Sequence, residues 1–169
     1  MSGSCAQEQP SEADVEAAYL YNFGKFIQWP ADPAAASQPF SICILGQDIF
    51  GRKLDDLIAD DRIQGRRIVA RRLASPDSAN NCQIVFLALS EDPHLKKDIE
   101  VLSKRPILTV SDLPLFLERG GMIQFLHENQ RVRFAVNLPA AKRDGLAMSS
   151  ELLKVARYVN RTETGEAKP

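Results

Sequence analysis

The sequence predicts a single α/β domain: a three-layer α/β/α sandwich on a mostly parallel sheet, with a C-terminal antiparallel hairpin. Three observations carry that expectation. Short apolar runs alternate with helical segments as far as residue 110, the pattern of βαβ units with right-handed crossovers. A strong hairpin signal follows between residues 122 and 137. The chain has 169 residues, 44% of them hydrophobic, which suits one domain with a substantial core.

Each element has its own signal. Ser11 is a candidate N-cap, with Glu12 and Ala13 suited to a first helical turn. Val15, Tyr19, Phe23, Phe26 and Ile27 recur at helical spacing, so a helix is expected over 11–29, stopped by Pro30. Residues 31–39 form a linker of Pro and small residues. The run SICIL is a short apolar strand ended by Gly46, and residues 50–59 form a helix with Leu54, Leu57 and Ile58 on one face. The basic run 66–73 alternates as a strand, setting Ile68 and Ala70 against Val69 and Arg71. A turn-rich stretch leads to the strand CQIVFLAL. Residues 94–104 are amphipathic, with Leu95, Ile99 and Leu102 inward, and residues 106–110 form the next strand. Ser111 and Asp112 can cap a short helix over 113–119, which ends before Gly120 and Gly121. Met122–His127 and Arg131–Asn137 flank a Glu128-Asn129-Gln130 turn. Residues 140–145 and 149–159 read as closing helices. The domain is thus expected over 11–159, with residues 1–10 a disordered remnant of a tag or signal and 160–169 a disordered tail.

Composition narrows function by exclusion. A net charge of −1 gives no electrostatic reason to expect nucleic acid. No apolar run approaches the roughly 20 residues that span a bilayer, so the chain is not expected to cross a membrane. His94 and His127 lack the partners and spacing of a metal motif, and neither metal nor cofactor is expected. Gly46 to Gly51 lies where a nucleotide loop would, but it has neither a three-glycine fingerprint nor a GK[ST] ending. No Gly-x-Ser-x-Gly elbow occurs, and the pairs Asp55-Asp56 and Asp60-Asp61 read as solvated. No catalytic residue is expected, and the chain does not read as an enzyme. Arg66, Arg67, Arg71 and Arg72 suit a charge-protected edge strand or one wall of an anion site.

Three constellations remain. Arg131 and Arg133 project from one strand face roughly 7 Å apart, a spacing that could grip a carboxylate or phosphate. Asn22, Trp29 and Asn137 could complete a ligand pocket with them; a structural ion pair beside core aromatics is the plainer reading. Tyr19, Tyr21 and Phe26 crowd one helix with more aromatic surface than a single buried stripe can hide, which suggests a partner or dimer face. Cys43 and Cys82 lie in two apolar strand-like runs. They are either small core residues or a disulfide closing a loop of about 40 residues. Cys5 is the odd cysteine.

The segments AAYLYNFGKFIQWP, SICILG, LTVSD, GGMIQF, VRFAVN and AAKRDGLAMSSELLKVA, with the two spaced cysteines, occur in this order between residues 17 and 156. Together they resemble the YfiR-like family of bacterial periplasmic regulators. The resemblance implies secretion, with the signal peptide removed, and an α/β/α fold that often dimerises. It also implies a partner, the periplasmic part of an inner-membrane diguanylate cyclase, which the protein would inhibit, lowering cyclic di-GMP and biofilm formation. A disulfide between cysteines placed like Cys43 and Cys82 is implied as well. A second, C-terminal pair found in some members has no counterpart, since no cysteine follows Cys82. The resemblance implies no catalytic residues. A periplasmic small-molecule sensor that feeds a membrane receptor or histidine kinase is the alternative expectation.

Overall fold

A computed structural model of the protein describes residues 10–162. Expectations for residues 1–9, including Cys5, and for 163–169 lie outside the described residues. The chain first forms α1 (Glu12–Phe26), opened by a reciprocal cap: Ser11 Oγ accepts from the Asp14 backbone and the Asp14 carboxylate accepts from the Ser11 backbone. The helix ends three residues earlier than its periodicity suggests. Ile27 turns extended, and β1 (Ile27–Gln28) pairs antiparallel with β9 (Ala147–Met148). Nothing local marks that switch; the partner strand is 120 residues away in chain order.

The remaining strands are β2 (Phe40–Leu45), β3 (Arg62–Ile63), β4 (Arg66–Leu73), β5 (Ile84–Leu87), β6 (Leu108–Ser111), β7 (Ile123–Glu128), β8 (Arg131–Asn137) and β10 (Tyr158–Asn160). They build one eight-stranded sheet in the order β10-β8-β7-β6-β5-β2-β4-β3. Neighbours pair in parallel except β7 with β8 and β3 with β4. The β7–β8 turn is two residues long, Asn129 and Gln130, both at positive φ (50° and 67°), the backbone that lets a tight hairpin match strand twist.

The helices are α2 (Arg52–Ile58), α3 (Leu95–Leu102), α4 (Leu138–Arg143) and α5 (Ser150–Val155). Alternation along the central strands feeds two apolar cores. Ile42, Ile44 and Phe86 join Leu20, Phe23 and Leu54 of the helices on one side. Cys43, Leu45, Val85 and Leu87 join Leu95 and Phe116 on the other. α1 lies close to the sheet at Gly24, where a Cβ would come within 2.5 Å of Ile63 Cδ1 and 3.2 Å of the Phe40 ring.

Three expectations need correction. Residues 113–119 form turns rather than a helix: Ser111 Oγ accepts from Leu113 N, a local bond that competes with helix entry. The last helix stops at Val155, and Tyr158–Asn160 becomes a strand parallel to β8, so Asn160 belongs to the fold. β4 is flanked by the short β3, a pairing that the charged run concealed. Beyond that two-residue cover, β4 is an edge bearing Arg71 and Arg72, as its charge suggests.

Candidate functional site

Cys43 lies in the middle of β2, and Cys82 precedes β5 by two residues. Because β2 and β5 pair in parallel, the two Cα atoms come to 6.1 Å and the sulfurs are bonded. Cys43 is fully buried and Cys82 nearly so. Arg71, across the ladder from Cys43, donates from Nη1 to Asn80 O (2.9 Å) and from Nη2 to Ser78 O (3.1 Å), and Nη1 lies 3.5 Å from Cys82 Sγ. The basic residue thereby fixes the turn that delivers Cys82.

Beside Cys82 opens a cleft of about 380 Å³ lined by Trp29, Arg66, Asn80, Gln83, Arg105 and Ile107. Trp29 Nε1 donates to Gln83 O at 3.1 Å, and Gln83 Oε1 accepts from Ser41 N at 2.7 Å. Arg66 donates to the carbonyls of Gln38 and Pro39 (both 2.9 Å) and stacks on Phe40; burial pulls its pKa down, opposed by Asp32. Arg105 Nη1 is buried without a hydrogen-bond partner among the described residues. Two guanidinium groups beside an indole suit a planar or anionic small molecule.

At the opposite end of the sheet, four side chains converge where β6 and β7 finish under the start of α1. His127 Nε2 lies 3.0 Å from Asp112 Oδ1 and 3.3 Å from Glu16 Oε2, while its Nδ1 lies 3.3 Å from Glu12 Oε2. Glu16 is 1% exposed, and its Oε1 has no partner among the described residues. Burial, then hydrogen bonding to Asp112 and the charges of Asp112 and Glu12, push its pKa up to about 10. Burial works against the charged form of His127, but Asp112 and Glu12 outweigh it and raise its pKa. Sequence reading found no partners for His127 and took Asp112 only as a helix cap. The missed signal is Glu12 and Glu16 at i, i+4 spacing, which puts both carboxylates on one helix face.

Residues 13–157 match the YfiR/HmsC-like family. The chain belongs to that family. A solved structure described as a conserved domain protein from Vibrio cholerae O1 biovar El Tor strain N16961 shares the fold, with a TM-score of 0.57 at 10% identity. The alignment covers 89% of this chain and 60% of that one, so the chain spans about 60% of that protein's length.

In this YfiR/HmsC-like chain the five expected pocket residues are dispersed. Trp29 lines the cleft beside Cys82. Arg131 and Arg133 sit toward the hairpin tip of β8, while Asn137 ends the strand, roughly 20 Å from Arg131 and roughly 14 Å from Arg133 at strand rise. Asn137 is buried; it donates to Leu117 O and Gly121 O (3.2 Å each) and caps α4, which makes it structural. Asn22 is exposed on α1. The aromatic face divides as well. Tyr19 turns inward, its ring 5.4 Å from Phe134 and its hydroxyl donating to Val132 O at 3.1 Å. Tyr21 donates to Asp61 and lies under Lys25, while Phe26 stays exposed. Among the described residues, no helix is long and apolar enough to cross a membrane.

Proposed function

We propose that this protein is a non-enzymatic periplasmic regulator that binds the periplasmic part of an inner-membrane diguanylate cyclase and holds it inactive, lowering cyclic di-GMP. The observation that carries the reading is membership of the YfiR/HmsC-like family across residues 13–157. The Cys43–Cys82 bridge is in keeping with it, because disulfides persist in oxidising compartments such as the periplasm.

Deleting the gene in its own host should raise cellular cyclic di-GMP, measured by mass spectrometry, and re-expression in the periplasm should restore the lower level. Crosslinking in intact cells should recover an inner-membrane protein with a GGDEF output domain. Unchanged cyclic di-GMP after deletion would overturn the proposal. A second reading, a sensor of an anionic small molecule, draws on the cleft between Trp29, Arg66 and Arg105 with its unpartnered guanidinium nitrogen. It is favoured over the first if crosslinking recovers a histidine kinase or receptor instead.

A further inference from the structure

We propose that Glu16, Asp112 and His127 form a binding site for a borderline divalent transition-metal ion, with zinc the best fit. Both carboxylate oxygens already stand at ligand spacing from the imidazole nitrogen. A zinc ion binds carboxylate oxygen and imidazole nitrogen at about 2.0–2.2 Å, so neighbouring ligands around it sit roughly 3.0–3.5 Å apart. Nε2 of His127 lies 3.0 Å from Asp112 Oδ1 and 3.3 Å from Glu16 Oε2, and one donor from each of the three residues falls within a 4.8 Å set.

Without an ion, this arrangement leaves demands unmet. One imidazole nitrogen faces two carboxylate oxygens, and a single N–H satisfies only one of them. Glu16, nearly inaccessible to water, keeps Oε1 unpartnered among the described residues. A cation seated between Nε2, Glu16 Oε2 and Asp112 Oδ1 answers the first demand, and it answers the second where Glu16 binds it through both oxygens. The second nitrogen supports the same assignment. Metal-bound histidines usually donate their other N–H to a carboxylate, which fixes the tautomer and ring orientation. Glu12 Oε2, 3.3 Å from His127 Nδ1, stands in that position.

The ligand chemistry selects the ion. Calcium takes six to eight oxygens and magnesium keeps a largely hydrated octahedron, so neither gains from an imidazole. Two carboxylates with one imidazole suit zinc or a neighbouring transition ion, leaving a coordination position for water or a partner's side chain. The side chain of His127 is 36% exposed and that of Glu12 62%, which provides a path from solvent. The bound ion would fasten the first turns of α1 to the ends of β6 and β7.

The test is a zinc titration of chelator-stripped protein against a competing chromophoric chelator. A Cys5→Ser background removes the one cysteine outside the bridge. We expect one equivalent bound with a dissociation constant on the order of micromolar or tighter. His127→Ala and Glu16→Gln should each weaken binding at least tenfold. His94→Ala, which alters the only other histidine, should leave it unchanged. Zinc should raise the melting temperature of the parent protein, and that rise should vanish in Glu16→Gln. The melt of metal-free Glu16→Gln should equal or exceed the parent's, which separates a lost site from a lost fold. Three results would each overturn the proposal: no stoichiometric uptake, uptake that ignores His127→Ala, or equal competition by calcium. If zinc leaves the melt unmoved while Glu16→Gln alone raises it, the cluster is a proton-sharing carboxyl pair and holds no metal.

Discussion

Individual side chains here carry consequences that the surrounding fold imposes on them. Asp98 of α3 is 3% exposed, with Oδ2 buried and unpartnered among the described residues. Burial, then the hydrogen bond and charge of Glu91, push its pKa up to about 7, with Lys97 opposing. In the unfolded chain the same carboxyl releases its proton near pH 3.9. Between about pH 4 and 7 the folded protein therefore holds a proton that the unfolded chain has lost, and stability falls as pH rises through that window. Above it the destabilisation is complete and constant. Asp98→Asn removes the charge while keeping the shape, so its melting temperature should exceed the parent's at pH 8 and nearly match it at pH 4. Calorimetric melts of both proteins across that range decide the matter; an equal gain at both pH values would mean that ionisation is not the cause. Lys97 and Glu100 beside Asp98 follow the helical pattern well enough, yet neither periodicity nor composition reveals that an acid faces inward.

Elements differ in how openly the sequence displays them. α1, the central strands and the β7–β8 ladder were legible because the apolar period is unambiguous and turn residues bound it. What stayed hidden depended on partners distant in the chain: the β1–β9 pair, the β3 flank of β4, and β10, whose Tyr158 and Val159 continue a helical pattern until β8 captures them. The site followed the same rule. Cys43 and Cys82 stood out in two apolar strand-like runs and the family resemblance implied their bridge, whereas His127 met Glu16 and Asp112 only through the packing of α1 over β6 and β7. The hairpin offers a direct test of the expected arginine pair. Arg131 is exposed and Arg133 half-buried, and neither makes an ion pair among the described residues. Replacing either with Ala should change stability by no more than about 0.5 kcal/mol, as expected for surface sites. If the proposed function holds and the pair meets the cyclase, cyclic di-GMP should rise in the same variants. A melt lowered by many degrees would instead identify a buried structural role.

For the molecule as a whole, the bridge governs how firmly the sheet holds together. β2 lies between β4 and β5, so it is central in the parallel half, and the disulfide ties it to the turn that enters β5, at a sequence separation of 39. That intervening segment contains α2, the β3–β4 edge and the turn carrying Cys82. In the reduced unfolded chain these elements would be free to separate; the bridge denies that freedom and contributes roughly 4 kcal/mol on the chain-entropy account. For a domain of this size each kcal/mol moves the melting temperature by about 2–4 °C, so reduction should lower it by roughly 8–16 °C. Both half-cystines also pack in the core around Leu45, Val85 and Leu87, a contribution separate from the cross-link. A Cys43→Ala, Cys82→Ala variant should therefore melt slightly below the reduced parent, having lost that packing as well. Melts with and without a phosphine reductant, run beside this variant, test both steps. Identical melting temperatures for oxidised and reduced protein would show that the bridge does not limit the unfolded chain, and stability would then rest on the two apolar cores alone.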